Sequence, residues 1–297
     1  MTKLDETAHG TDIMKIRAYS DMHLDHYGLL DVMWYPPMMP DDADTILILA
    51  GDIWTGTNFI MHSKDSWIGN LAPRFKQVLV VLGNHDYWPT EKYLTIKNGG
   101  KKCNEMLLDM GIMNVKVLDC DTFESDDVLF VGCTLWTDMD KFDPLAMYNM
   151  PQLMFYDGKI TYDTSAKSLD LQTNSFSQLG WSRFTSELWC QTHMKHRDYL
   201  KIIFEQNKDK KIVVITHHLP LNTLGDPAFN GHQANCYYSS DLSDLILNNN
   251  VKLWFYGHTH HAKETLLGET LLVNNCVGYK AQAMEKLGLV KHKVFEV

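Results

Sequence analysis

The sequence has no hydrophobic run long enough to cross a membrane. A transmembrane helix needs roughly 20 consecutive apolar residues, and the apolar runs of this chain are much shorter. Residues 1–12 are polar and lack the apolar centre of a secretory signal peptide. We therefore expect residues 1–12 to form a flexible tail, and we expect the protein to be cytoplasmic with no membrane partner.

Closely spaced cysteines are also missing. The six cysteines are Cys103, Cys120, Cys133, Cys190, Cys236 and Cys276. Because no two of them are spaced as C-x-x-C, a zinc knuckle and a thioredoxin-like redox motif are excluded. We expect reduced thiols that fill space in the core.

Basic residues are scarce. The chain has 27 Lys and Arg residues against 37 Asp and Glu residues, which gives a formal net charge of −10 at pH 7. Broad binding to nucleic acid needs a basic surface. We therefore do not expect nucleic acid as a partner, and a small molecule is the expected substrate.

What is present is the composition of a soluble globular protein, with 45% hydrophobic and 22% charged residues. A length of 297 residues suits one large α/β unit, so we predict a single domain over residues 13–297. Residues 136–181 contain prolines and many aromatic residues but show little periodicity. We predict that this segment is an insertion over the active site.

Several short apolar runs end in polar residues. They span residues 13–20, 45–50, 77–82, 211–215 and 252–256. Continuous apolar runs of this length are typical of parallel strands that are buried on both faces. Because ligands bind beyond the carboxyl ends of such strands, the polar residues that follow the runs should converge on one site. Further strands are predicted at 128–135, 264–274 and 290–297, and a helix at 182–207.

The polar blocks after these runs contain the donors that a pair of metal ions needs. In chain order they are Asp21-Met22-His23, Gly51-Asp52, Gly83-Asn84-His85-Asp86, Thr216-His217 and Gly257-His258-Thr259-His260. Two cations a few ångströms apart need a bridging carboxylate together with oxygen and nitrogen donors on each side. Mixed carboxylate, imidazole and amide donors suit Mn²⁺, Fe or Zn²⁺ better than Ca²⁺. We expect two divalent ions and favour Mn²⁺.

In this order the blocks resemble the motifs of the calcineurin-like metallophosphoesterase superfamily (D-x-H, G-D, G-N-H-[DE], [GT]-H and G-H-x-H). The resemblance implies an α/β fold, a four-layer α/β/β/α sandwich of two mixed sheets with helices on both outer faces. It also implies two sets of metal ligands. The first set is Asp21, His23, Asp52 and His260, and the second is Asp52, Asn84, His217 and His258, with Asp52 as the bridge.

The resemblance further implies the chemistry. A hydroxide that bridges the metals would attack phosphorus in line, so Asp52 counts as catalytic, and His85 would protonate the leaving oxygen as a general acid. For Asp86 we favour a role as the N-cap of the following helix over a role in orienting His85. The histidines His193 and His196, three apart on a predicted helix, are interpreted as part of a solvated face.

Departures from the motifs narrow the substrate class. The protein phosphatases of this superfamily carry G-D-x-x-D-R-G, whereas this chain reads Gly51-Asp52-Ile53-Trp54-Thr55-Gly56 and lacks the Arg. The SbcD-like nucleases usually carry a further capping domain, for which little chain remains after His260. The remaining resemblance is to stand-alone bacterial and phage-type phosphoesterases.

Aromatic residues near the blocks suggest a nucleobase, because rings can stack on bases. The candidate rings in or just after the blocks are Tyr27, Trp34, Tyr35, Trp54, Tyr87 and Trp88, and those placed to join them are Trp136, Trp181, Tyr237 and Tyr238. Of these, Trp54, Tyr87 and Trp136 are the predicted substrate-binding rings; the alternative is that the rings pin their loops to the core. His218 and His261 are predicted either to contact substrate phosphate or to support the metal ligands. The leading hypothesis is a phosphodiesterase acting on a nucleotide-like substrate. A phosphomonoesterase or nucleotide pyrophosphohydrolase is the alternative; an SbcD-like nuclease and a non-catalytic binding protein of the same fold are lesser ones.

Overall fold

The structure is a computed structural model that describes residues 13–27, 33–60, 65–88, 94–163, 169–170, 175–176, 182–280 and 290–297. Every structural statement below concerns these residues. The predicted tail at residues 1–12 and the predicted ring of Trp181 lie outside them.

The first sheet forms from the apolar runs in the N-terminal part of the chain. Its strand order is β15-β1-β2-β3-β4, and all pairs are parallel except β15 with β1. The run of β2, TILILA, is buried at every position, as expected for a strand covered on both faces. The strands are β1 Lys15–Tyr19, β2 Thr45–Ala50, β3 Gln77–Val81, β4 Val115–Val117 and β15 Phe295–Glu296.

The second sheet has the order β13-β14-β12-β11-β6-β5, with antiparallel strands only at its two edges. The predicted strand at 264–274 is divided into a hairpin, because the chain turns at Gly268, where φ is 59°. Glycine is the residue that adopts this angle without strain. The strands are β5 Asp121–Ser125, β6 Val128–Cys133, β11 Lys211–Thr216, β12 Val251–Tyr256, β13 Lys263–Leu267 and β14 Thr270–Asn274.

Helices and short ribbons complete the described fold. The ribbons pair β7 Thr161–Asp163 with β10 Ser182–Arg183, and β8 Leu169–Asp170 with β9 Ser175–Phe176. The predicted helix at 182–207 begins later, at Ser186, because the Thr185 side chain caps it by accepting the Leu188 N–H. The helices are α1 Trp67–Leu71, α2 Gly99–Asp109, α3 Met139–Phe142, α4 Pro144–Leu153, α5 Ser186–Gln206 and α6 Ser243–Leu247.

The buried side chains form three layers of core. Ile48 of β2 and Ile215 of β11 belong to the layer between the two sheets. The outer face of the first sheet packs against α1 and α2, and that of the second packs against α5 and α6. Burial of each such aliphatic side chain stabilises the fold by about 1.5–3 kcal/mol. The predicted α/β/β/α sandwich of two mixed sheets is confirmed.

The sandwich brings the carboxyl ends of β1, β2 and β3 from one sheet beside those of β11 and β12 from the other. The polar residue that follows each strand therefore lies at one shared edge, as expected for parallel strands. Over the described ranges, we find no helix with the length and apolar character needed to pass through a lipid bilayer.

Candidate metal centre

The predicted metal ligands come together at the shared edge. Asp21, His23 and His260 form one cluster, and Asp52, His217 and His258 form a second; within each, the ligand atoms lie within 4.8 Å of one another. The Asn84 amide oxygen joins the second cluster, 3.0 Å from His217 Nε2. Because each cluster contains residues from both sheets, the site exists only when the sandwich is assembled.

Asp52 lies between the two clusters. Its Oδ2 atom is 3.3 Å from His217 Nε2 and 3.8 Å from His23 Nε2. Its Oδ1 atom accepts a hydrogen bond of 2.9 Å from the backbone N–H of His85, which fixes the rotation of the carboxylate. One oxygen is thus held by the protein while the other faces both clusters.

The ligand loops have a strained backbone. Asp21, His23, Asp52, His258 and His260 have φ values of 54°, 43°, 52°, 76° and 48°. A non-glycine residue in this left-handed region costs roughly 1–3 kcal/mol, and such residues cluster at functional sites. Strain at these positions indicates that the fold is organised around the geometry of the ligands.

Two glycines allow the ligand loops to approach one another. A Cβ atom on Gly51 would collide with the His217 ring, and one on Gly83 would collide with the Asp52 carboxylate. Any larger residue at these two positions would therefore displace a ligand.

Asp86 holds the Asp52 loop rather than capping a helix. Its carboxylate accepts backbone N–H groups from Gly83 at 2.7 Å, Asp52 at 2.9 Å, and Ile53 and Trp54 at 3.2 Å each. The predicted N-cap role is wrong, because Asp86 lies inside a 3₁₀ turn and points back towards the neighbouring strand end. It joins the loops after β2 and β3.

The buried imidazoles of His23 and His258 are held in the neutral form. Burial lowers the pKa of His23 to about 3 and also lowers the pKa values of His85 and His258. A histidine must be neutral to bind a metal ion. His23 and His258 are therefore in the form that a ligand requires.

The electrostatics around Asp52 favour positive charge. Burial alone would raise the pKa of Asp52, but the nearby His217 and His85 hold it well below its usual value. Burial alone would lower the pKa of His217, but the Asp52 carboxylate outweighs burial and raises it to about 9. His217 Nδ1 lies 2.9 Å from the Ala50 carbonyl, so Nδ1 carries a proton and Nε2 faces Asp52.

The donor set fits divalent cations. Among the described residues, the buried His258 Nε2 atom has no hydrogen-bond partner. His23 Nε2 and His260 Nε2 lie 2.8 Å apart, and both rings face the Asp21 carboxylate. Lone pairs that converge in this way are stabilised by a cation, and nitrogen and oxygen donors together suit transition metals.

His85 lies at the cavity edge of the centre. It is 7% exposed and lines the cavity described below. Its Nε2 atom is 3.9 Å from Asp52 Oδ2, and its ring stacks on Trp88 with centroids 3.4 Å apart. The stacked ring fixes the direction in which the imidazole points.

Asp157 is a site residue that the sequence did not indicate. Its Oδ1 atom accepts hydrogen bonds from the Asn84 amide at 3.0 Å and from the Trp88 indole at 2.7 Å. It is 2% exposed, and burial raises its pKa to about 6. The contact links the segment after β6 to the loop after β3, and no local pattern predicts it.

A cavity of about 450 Å³ opens beside the ligands. Residues 153–157 contribute to its wall, so part of the 136–181 segment reaches the site; whether the whole segment is an insertion over it stays a prediction. The aromatic side chains that line the cavity are Trp88, Phe155, Tyr156, Phe229, Tyr238 and Tyr279.

The candidate rings Trp88 and Tyr238 line this cavity, whereas Trp54, Tyr87, Trp136, His218 and His261 do not. Tyr87 and Trp136 are 2% and 1% exposed, because their rings pack into the core. Trp54 and His261 are half-buried and lie outside the cavity lining. His218 is fully buried and contacts the Thr134 carbonyl. Contacts between these residues and substrate stay predictions, and the His218 ring packs against that of His258, in line with the expected supporting role.

The expected solvated face of His193 and His196 is also wrong. The two residues are 1% and 7% exposed. His193 Nδ1 lies 3.1 Å from the Leu135 carbonyl, and His196 Nδ1 accepts the Leu135 N–H at 3.1 Å. Since Leu135 has a φ of 75°, the two histidines hold a strained turn behind the site.

Comparisons with known proteins identify a family, a relative and a similar fold. The sequence model of the calcineurin-like phosphoesterases matches residues 14–262. An uncharacterized protein of Acanthamoeba polyphaga mimivirus is 24% identical over 283 residues, which cover 89% of this chain and 91% of that protein. The crystal structure of the phosphopantetheinyl hydrolase of Mycobacterium tuberculosis has a similar fold, with a TM-score of 0.61, 19% identity and 96% coverage of both chains.

The family match spans most of the chain, and it includes every block from Asp21 to His260. The structural likeness supports the same fold. The chain therefore belongs to the calcineurin-like phosphoesterase family.

Proposed function

We propose that the chain hydrolyses a small phosphodiester at two divalent cations held by the clusters around Asp21 and Asp52. The observation that carries this proposal is the position of Asp52 Oδ2, which lies within 4 Å of a histidine from each cluster. A shared carboxylate is the requirement of a two-metal site.

The ligand roles follow from the clusters. Asp21, His23 and His260 would hold one cation, Asn84, His217 and His258 would hold the other, and Asp52 would contact both. When bound, the cations would activate the attacking water and neutralise charge on phosphate oxygens. We favour Mn²⁺, with Fe and Zn²⁺ as alternatives, because the donors are mixed nitrogen and oxygen.

His85 is the proposed general acid. Its ring lines the cavity and is fixed by the stack on Trp88. It is placed to give a proton to the leaving oxygen, a role that contributes about 10²–10⁴-fold to the rate.

The charge of the cavity favours a diester over a monoester. No Lys or Arg is present among the described residues that line it, whereas Asp157 and Asp226 are. A phosphomonoester carries a charge of about −1.5 to −2 at pH 7 because its second pKa is about 6. A diester lacks that second ionisation, so it needs less positive charge from the wall.

A nucleotide-like group would fit the aromatic part of the wall. The Tyr279 ring lies 4.3 Å from the His23 ring, and the Tyr238 ring lies 4.4 Å from the His258 ring. Rings at this distance from a phosphate site could stack on a base. A cavity of about 450 Å³ is also in the range for small-molecule sites.

The test compares three substrates of the Mn²⁺-loaded protein, with Asp52→Asn as the control. Bis-p-nitrophenyl phosphate is the plain diester, p-nitrophenyl phosphate is the monoester, and the p-nitrophenyl ester of thymidine monophosphate adds a nucleobase to a diester with the same leaving group. We expect kcat/KM to be highest for the thymidine ester and lowest for the monoester.

Other outcomes would change the proposal in defined ways. Higher turnover of the monoester would make the protein a phosphomonoesterase. Equal turnover of the two diesters would remove the nucleotide-like substrate. Absence of activity together with absence of bound metal would support a binding protein of this fold.

A further inference from the structure

Two cysteines that are separate in sequence meet on the outer face of the second sheet. In the antiparallel pair of β5 and β6, Asp121 lies opposite Gly132. The next position outward therefore places Cys120 beside Cys133, and both side chains belong to the same core layer. Opposed residues of antiparallel strands have Cα atoms about 4.5–5.5 Å apart, within the range of about 4.4–6.8 Å that a disulfide needs.

The two neighbouring thiols differ in their access to solvent. Cys133 is buried, whereas Cys120 is half-buried and can be reached from solvent. Cys120 is thus the thiol that a small reagent can attack, and Cys133 is its nearest partner.

His196 of α5 is placed to support a thiolate at Cys120. The imidazole Nδ1 accepts the Leu135 N–H at 3.1 Å, so in the neutral ring the proton is on Nε2. Burial alone would lower the pKa of His196, but the neighbouring Cys120 outweighs burial and raises it; Nε2–H is the donor that the ring has left for this neighbour. A thiolate stabilised by a histidine is the usual form of a reactive cysteine.

The surroundings of Cys120 distinguish it from the other half-buried cysteine. The contact with Cys133, followed by His196 and Lys195, lowers the pKa of Cys120 to about 5 against the opposing effect of burial. Burial raises the pKa of Cys236 to about 11. The titratable groups around Cys120 are His196, Lys195 and Tyr199 of α5, Asp119 and Asp121 of its own segment, and Cys133.

We propose that Cys120 and Cys133 form a reversible redox pair, in which Cys120 reacts first with a peroxide and Cys133 resolves the product as a disulfide. The pair lies outside the cavity of the metal centre, and the proposal does not depend on the phosphoesterase function.

The chemistry balances with hydrogen peroxide as the oxidant. The Cys120 thiolate attacks one peroxide oxygen, the O–O bond breaks, and hydroxide leaves; the sulfur becomes a sulfenic acid. Cys133 then attacks this sulfur, the S–O bond breaks, and water leaves as the S–S bond forms. Both thiols together lose two electrons, and each peroxide gives two water molecules. A dithiol reductant such as dithiothreitol reverses the reaction by exchange.

The test uses the reduced full-length protein at neutral pH. It is treated with hydrogen peroxide, blocked with N-ethylmaleimide and mapped by mass spectrometry without reduction. We expect a peptide that joins Cys120 to Cys133 and that dithiothreitol releases. In Cys133→Ser the oxidation should end at a sulfenic acid on Cys120, which dimedone traps. Cys120→Ser should form no disulfide. Cys103→Ser, at a buried cysteine elsewhere, should behave as wild type.

A second measurement separates reactivity from folding. Limited alkylation with iodoacetamide should modify Cys120 before Cys236, and His196→Gln should slow the modification of Cys120 at least about tenfold while circular dichroism stays unchanged. Alkylation of Cys236 first, a disulfide that joins other cysteines, or no disulfide at all would overturn the proposal.

Discussion

The Asn84 amide is held at both ends. Its Nδ2 donates to Asp157 Oδ1 at 3.0 Å, and its Oδ1 lies 3.0 Å from His217 Nε2. Asp157 thereby selects the orientation in which the amide oxygen faces the metal centre. Outer groups that orient ligands in this way typically contribute 10–100-fold to metal affinity.

Asp157→Ala should therefore lower the affinity for Mn²⁺ by about 10–100-fold, as measured by calorimetric titration of the metal-free protein. Asp157→Asn keeps an oxygen that accepts the Asn84 amide, and we expect a much smaller loss. Wild-type affinity in Asp157→Ala would show that Asn84 needs no such support.

Asp52→Asn should empty at least one metal site. The substitution replaces one carboxylate oxygen by an amide nitrogen, which cannot bind a cation. Metal content by plasma mass spectrometry should fall from two ions per chain to one or fewer. Asp126→Asn, at an exposed aspartate in the β5–β6 turn, is the matched control. Unchanged stoichiometry would mean that another group bridges the ions.

His85→Ala should reduce kcat without loss of metal. For substrates with poor leaving groups we expect a loss of at least about 10²-fold, because the leaving oxygen needs the proton. For p-nitrophenyl esters, whose leaving group departs as an anion, the loss should be much smaller. Similar losses for both kinds of substrate would contradict the role as general acid.

Asp86→Ala should destabilise the fold more than a surface substitution does. The backbone N–H groups that Asp86 accepts would lose their partner, and each buried unsatisfied group costs about 1–3 kcal/mol. We expect the free energy of unfolding in urea to fall by at least about 3 kcal/mol. Asp86→Asn keeps one acceptor oxygen and should lie between this variant and wild type.

The pH dependence of stability tests the environment of Asp157. Its pKa is raised to about 6 in the folded protein, against about 3.9 in an unfolded chain. The folded state thus binds more protons between about pH 4 and 6, and stability should decrease as the pH rises through this window by up to roughly 2–3 kcal/mol. Urea unfolding of the metal-free protein should show this slope, and Asp157→Asn should reduce it. If wild type and Asp157→Asn showed the same dependence of stability on pH, the Asp157 carboxyl would not have the raised pKa of a buried group.

The strands and the convergence of the blocks could be predicted because both depend on local patterns. Continuous apolar runs such as TILILA in β2 indicate strands buried on both faces. The residue after each parallel strand must then lie at the shared edge. The positions of Asp21, Asp52 and His258 follow from this rule and from the family motifs.

The supporting contacts could not be predicted, because they join residues that are distant in sequence. Asp157 and Asn84 are 73 residues apart, and Asp86 and Asp52 are 34 apart. The hydrophobic periodicity of a sequence does not indicate which distant residues form such pairs. For His193 and His196 a signal did exist, because they share a spacing of three and four residues with Trp189 and Leu200, which are also buried on α5. That stripe indicates a core face.

The aromatic residues show the limit of arguing from proximity in sequence. Tyr87 and Trp88 are neighbours, yet Tyr87 is buried and Trp88 lines the cavity. Consecutive residues of a short turn point in different directions, so nearness to a motif does not decide which ring meets substrate. Tyr238, a candidate from the sequence, lines the cavity, and so does Tyr279, which was not among the candidate rings.

The ligands come from strand ends of both sheets, and this has a mechanical consequence. Asp21 and Asp52 follow strands of the first sheet, and His217 and His258 follow strands of the second. Bound cations would therefore cross-link the two sheets at one edge, while elsewhere apolar packing holds the faces together. Chelation would remove this cross-link and leave the apolar packing alone to hold the two sheets together.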